Sequence, residues 1–207
     1  MNLISKHQAV LPNTFFRHLS LVFVVMFMSA CGVATGIIQD TKRNLSVYEA
    51  PITGDRARIR LAGGNSNPIV YPGTACNRGL YPGAGRATKK GPFGPAPQRL
   101  GIPQAEMIPK GVATTEIYAR AGEPITMEFS VGGSESCPVT APGHYCVPAK
   151  LCRQSRAFVP EAGKDYEALF TGGNTACHVE IVEIKVVADS YQRTIVPSQE
   201  ALDCPGQ

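Results

Sequence analysis

The sequence predicts an all-β protein, an antiparallel β-sandwich that carries a long Gly/Pro-rich loop and is stapled by disulfides. Three observations lead there. Apolar residues alternate with polar ones over several short segments, the pattern of half-buried strands. Twenty-one glycines and seventeen prolines in 207 residues imply many turns and argue against a helical bundle. Six cysteines follow residue 31, an even number that suits three disulfides in an oxidising compartment.

The first thirty residues carry an address. Lys6, His7, Arg17 and His18 form a positive n-region, with no acid before Asp40. The apolar run that follows, Leu19 to Met28, is broken only by Ser20. It is too short for a transmembrane helix, which needs about 20 residues. A short apolar run behind positive charge, ending in small residues, marks a cleavable signal. Met28-Ser29-Ala30-Cys31 resembles a lipobox, with Met where an aliphatic residue is usual. The resemblance implies cleavage between Ala30 and Cys31, a diacylglycerol thioether on Cys31 and acylation of the new amino group. Several chains together give stable anchoring where a single one gives only marginal binding. Gly32, in place of the Asp that favours inner-membrane retention in such lipoproteins, implies the outer membrane, with the domain facing the periplasm. The competing reading is an ordinary secretory signal in which Cys31 is one more cysteine.

The expected organisation is therefore signal peptide 1–30, tether 31–55 and a β-sandwich domain 56–207. Lys6 and Arg17 are the only cations before Cys31, so the formal charge falls from +4 to +2 on cleavage. That is too little to imply a nucleic-acid partner.

Within the domain, Arg56-Ala-Arg-Ile-Arg-Leu61 puts three arginines on one strand face and Ala57, Ile59 and Leu61 on the other. The arginine face is expected to be solvated, with contact to acidic sugars or phosphates as the sharper alternative. Residues 63–103 hold nine Gly and seven Pro and two Tyr-Pro-Gly turns, and are expected to form a long loop rather than strands. Its basic cluster is Arg86, Lys89 and Lys90. Thr115–Ala119 is a strand, Ala121-Gly-Glu-Pro124 a turn, and Ile125–Val131 the clearest strand in the chain. There Ile125, Met127, Phe129 and Val131 point inward, and Thr126, Glu128 and Ser130 outward. After the cysteine-rich connector 137–152, strands are expected at Arg156–Val159, Asp165–Phe170 and Cys177–Ile181. Beyond Ile181 the apolar phase slips by one residue toward Ile184 and Val186, which implies a β-bulge.

Six cysteines, Cys76, Cys137, Cys146, Cys152, Cys177 and Cys204, allow 15 pairings. Cys137 with Cys146 would close a small loop, Cys152 with Cys177 would bridge strands that flank the Phe158–Phe170 hairpin, and Cys76 would be left for Cys204. A zinc site is disfavoured, because no Cys-x-x-Cys pair occurs and His144 and His178 lack ligand spacing.

From Thr115 to Ile184 the chain resembles small proteobacterial lipoproteins with an uncharacterised domain related to the transthyretin-like or PEGA-like β-sandwiches. The features that carry this are the Ala121-Gly-Glu-Pro124 turn between strands and Phe158-Val-Pro-Glu-Ala-Gly-Lys-Asp-Tyr166 leading into another. The resemblance implies a fold and supplies no catalytic residues. No Gly-x-Ser-x-Gly elbow, phosphate loop or dinucleotide fingerprint is present. His144, His178 and the acidic turn Glu161, Asp165 and Glu167 are the groups an enzyme would have to use, and no orienting partner is evident for them. The expected function is a non-enzymatic envelope lipoprotein with no cofactor or metal. Its expected contacts are the membrane through Cys31 and an envelope protein or polymer. The alternative is a periplasmic inhibitor of a lysozyme-like lytic hydrolase, presenting residues 63–103.

Overall fold

The computed structural model describes residues 45–64, 67–77, 81–91, 94–103, 108–132, 151–172, 176–188 and 190–204. They form two five-stranded sheets and a two-stranded ribbon. The first sheet is built from β1 (Arg56–Ala62), β6 (Thr114–Arg120), β9 (Asp165–Gly172), β10 (Cys177–Val187) and β11 (Ser190–Ile195), in the order β11-β10-β9-β1-β6. The second holds β2 (Ile69–Pro72), β3 (Gly85–Arg86), β7 (Ile125–Val131), β8 (Cys152–Phe158) and β12 (Gln199–Glu200), in the order β12-β8-β7-β2-β3. The ribbon pairs β4 (Lys90–Gly91) with β5 (Gly94–Pro95). Pairing within the two sheets is antiparallel except between β1 and β9, which run parallel. The chain is thus an all-β sandwich, as the alternation predicts.

The facing sides of the sheets make the core. Ala57, Ile59 and Leu61 of β1, Ile117 and Ala119 of β6, and Tyr166, Ala168 and Phe170 of β9 meet Ile125, Met127 and Phe129 of β7 and Phe158 of β8. Rings pair across the gap: Phe129 stacks on Phe170 at 5.8 Å, and Phe158 meets Tyr166 edge to face at 5.0 Å. Each pair adds about 0.5–1.5 kcal/mol beyond its buried area. The turn before β9 is fixed by its own sequence. Gly163 takes φ +73°, and the Tyr166 hydroxyl accepts the Glu161 N–H at 3.0 Å. The Gly163 N–H then donates to the Arg56 carbonyl, seating the turn on β1.

Three expectations are corrected. Val47 bridges to Arg86 and Tyr48 is buried, so the sandwich begins inside the stretch assigned to the tether. Residues 63–103 supply β2, whose Val70 and Tyr71 are wholly buried, as well as coil. β10 has no bulge: Cys177 to Ile184 pair with Gly172 to Asp165 in unbroken register. Val182 and Ile184 instead lie on the outer face of the sheet and pack against Ile102. Thr126 and Glu128 of β7 point away from the core as expected, and they too are buried.

The buried outer faces of β10 and β7 have one cause. Coil covers the outer faces of both sheets, 98–103 over the first and 74–77 with 201–204 over the second. Buried coil has no ladder to satisfy its backbone polar groups, so side chains on the covered face must do it. Thr126 donates to the Thr74 carbonyl at 2.8 Å, and the Asn77 amide donates to the Ala201 carbonyl at 3.0 Å.

Two disulfides tie these layers. Cys152 of β8 bonds Cys177 of β10 and so joins the two sheets. Cys76 bonds Cys204 and joins the two coil segments over the second sheet, where Asn77 also bridges to Asp203. Both pairings agree with the sequence reading. The signal, Ala30, Cys31, His144, Cys137 and Cys146 lie outside the described residues.

Candidate functional site

The most elaborated region is the outer face of the first sheet beneath residues 98–103. Register creates it. Arg60 of β1 stands directly between Glu116 of β6 and Glu167 of β9, and Arg58 stands opposite Asp165. Strand alternation sends all of these side chains away from the core, yet Arg60 is only 3% exposed and Glu167 fully buried.

The five N–H groups of Arg60 are all engaged. Nε and one terminal nitrogen donate to Glu116 Oε1 at 3.2 and 3.0 Å, and the other terminal nitrogen donates to Glu167 Oε2 at 3.3 Å. The remaining two reach the carbonyls of Ile102 and Pro103. Glu116 Oε2 accepts the N–H groups of Leu100 and Ile102, so both of its oxygens are occupied. Burial pushes the Glu116 carboxyl up, but those N–H groups and the Arg60 guanidinium outweigh it and hold the group below the usual carboxylate value. Arg193 of β11 donates to Glu167 Oε1 at 2.6 Å. The quartet of two arginines and two glutamates is formally neutral. Beside it, Arg58 grips both oxygens of Asp165 at 2.7 Å and donates to the Leu100 carbonyl at 2.9 Å. The Asp165 hydrogen bond raises the Arg58 pKa above its ordinary value.

These contacts hold residues 98–103 as a strap, aided by the Glu116 N–H donating to the Gln98 carbonyl along the free side of β6. Two adjoining clefts open beside it. One, of about 320 Å³, lies between Arg99, Ile102, Lys110 and Thr114 and has Arg60 and Glu116 in its wall. The other, of about 260 Å³, shares Arg99, Val112 and Thr114 and reaches Thr88.

The arginine row therefore behaves otherwise than either sequence reading. Arg60 is buried, and Arg58, about a third exposed at 34%, is bound on both sides by Asp165 and the strap. Arg56 lies over the Tyr118 ring, 4.3 Å from its centroid. The acidic turn is likewise committed: Asp165 to Arg58, Glu167 to Arg60 and Arg193, Glu161 to Lys164 at 2.8 Å. His178 sits exposed on β10. Among the described residues, no three His, Cys, Asp or Glu side chains are grouped to hold a metal ion.

Sequence reasoning missed Glu116, Thr88, Arg99 and Lys110. Glu116 carries a readable signal, since it shares the outward phase of its strand, but its place opposite Arg60 depends on a pairing 56 residues away. No protein-family model, curated protein or solved structure matches this chain.

Proposed function

We propose that the chain is a non-enzymatic envelope lipoprotein, anchored to the outer membrane through lipid on Cys31, whose β-sandwich is a binding or structural module in the periplasm. The observation that supports this most directly is the fate of the acidic turn. Asp165, largely buried, and Glu167, fully buried, are held by arginines in structural pairs, and exposed Glu161 pairs with Lys164. A general base must instead reach a substrate proton. The two disulfides support an oxidising compartment. The lipobox-like Met28-Ser29-Ala30-Cys31 supports the anchor, and the likeness to small sandwich-bearing lipoproteins fits both.

The test combines labelling and capture. Cells fed radiolabelled palmitate should label the wild-type protein and leave Cys31→Ser unlabelled. Equal absence of label from both would overturn the anchor. Crosslinking in intact envelopes with both forms then asks what is bound. One envelope protein or polymer captured by both forms supports a binding module. A stoichiometric complex with a lytic hydrolase, inhibited on binding, would give the inhibitor reading. Turnover of an envelope substrate by the purified protein would overturn the proposal.

A further inference from the structure

We propose that the groove beside the strap binds an oxyanion, the phosphate or carboxylate group of a small molecule or of an envelope polymer. The inference names the ligand chemistry of a binding module and rests on that reading, though its test does not depend on the anchor.

The two clefts meet at Arg99, with Val112 and Thr114 in both walls. Of the ionisable groups in their linings, Arg60 and Glu116 are consumed by each other, by Glu167 and by the strap backbone. Arg99 and Lys110 differ. Both are exposed side chains at the rim, and neither has an ion-pair partner among the described residues. Among the described residues the groove thus keeps an excess of two positive charges above a neutralised floor. Arg in particular presents paired N–H groups that fit the oxygens of a carboxylate or phosphate.

A second observation comes from the other cleft. Thr88 is 5% exposed, and its hydroxyl has no hydrogen-bond partner among the described residues. Buried hydroxyls are ordinarily paired, so this one calls for a partner. The Thr88 backbone is held in place: the Asn67 side chain accepts the Thr88 N–H at 3.0 Å and donates to the Thr88 carbonyl at 3.1 Å. An unpartnered hydroxyl at one end and two exposed cations at the other suit a compact ligand with one anionic and one hydrogen-bonding group. Clefts of this volume lie at or just below the small end of ligand pockets, which excludes a large cofactor. Among the described residues no aromatic ring lines either cleft, so the proposal places recognition on the anionic group.

The test is a titration of the full-length protein in detergent micelles, followed by NMR at the Gly101 and Gly111 amides. Inorganic phosphate and glucuronate are the probes, with glucose as the neutral control. Saturable shifts with both anions and none with glucose are expected, weakening as sodium chloride is raised. Arg99→Gln with Lys110→Gln should lower affinity at least tenfold. Thr88→Val should lower it about fivefold for a single neutral hydrogen bond. The cations are exposed, so that variant keeps its fold; circular dichroism checks both. Absence of saturable binding, or binding that both variants leave unchanged, overturns the proposal. A polyglucuronate arm separates the sources: tighter binding per sugar than free glucuronate indicates a polymer, equal binding a small molecule. Palmitate labelling of Cys31 would be unaffected by failure here.

Discussion

Replacing Arg60 with Met removes the charge at the centre of the buried quartet while keeping most of its volume. Glu116 loses two hydrogen bonds and Glu167 one, and the Ile102 and Pro103 carbonyls lose their donor. Two carboxylates are then left under the strap with only Arg193 and two backbone N–H groups to balance them. Breaking a buried ion pair from one side costs about 3–5 kcal/mol, far more than the intact pair contributes. For a domain of this size that corresponds to a fall in melting temperature of about 6–20 °C.

The pH dependence carries the sharper test. The wild-type Glu116 carboxyl is held below its ordinary value, so its contribution is fully present above the unfolded-state pKa of about 4.3. That contribution is lost as pH falls through the lower folded-state value. In Arg60→Met the Glu116 balance shifts the other way, because burial opposed by fewer partners pushes its carboxyl up and protonation relieves it. The deficit should therefore be greatest near neutrality and narrow toward pH 4. Urea unfolding of both proteins from pH 7 to pH 4, with disulfides intact, measures it. Hydrogen exchange at the Leu100 and Ile102 amides should show the strap released first. A deficit under about 1 kcal/mol at pH 7, or one that does not change with pH, would refute the description of this face.

The disulfides should differ in weight. By loop-closure entropy, Cys76→Ser with Cys204→Ser, spanning 128 residues, should cost about 5 kcal/mol, and Cys152→Ser with Cys177→Ser, spanning 25, about 3.5 kcal/mol. Non-reducing thermal melts compare them, and equal losses would mean that loop length does not set the stabilisation here. Two glycines at positive φ separate backbone conformation from crowding. Gly122→Ala meets nothing within 4 Å and should cost about 1 kcal/mol, whereas at Gly63 a Cβ would lie 2.2 Å from the Phe170 carbonyl oxygen and should cost about 3 kcal/mol.

Where one strand face was core and the local pattern was long, the sequence was sufficient. β7 alternates over seven residues and its bounds, Ile125–Val131, are those the pattern predicts. β2 escaped because Ile69–Pro72 is four residues long between Pro68 and Gly73, so turn chemistry outweighs a short apolar run; its burial comes from pairing with β7 some 57 residues away. The parallel pairing of β1 with β9 is equally non-local. Val182 and Ile184 misled for another reason. Alternation identifies the core face only when the opposite face is wet. Ile102 lies over them, so both faces of β10 are apolar there, and an unbroken strand imitates a phase slip. The two disulfides among the described residues were legible because their cysteines flank strands whose order in the chain already limits their partners.

The same covering explains why the arginines misled. A charged residue on an outward strand position reads as solvated, and its charge as available. In this domain outward positions under coil serve as hydrogen-bond partners for backbone that has no ladder of its own. Arg58, Arg60 and Glu116 together satisfy five backbone groups of the strap. Charge on this face is consequently divided by burial. What lies beneath the strap is neutralised and structural, and what lies at its rim, Arg99 and Lys110, has no ion-pair partner among the described residues and is where the proposed ligand would bind. Availability, and not the number of cations in a segment, decides what the surface can bind. It depends on where the strap crosses the sheet, a relation between residues some 40 positions apart that no local pattern encodes.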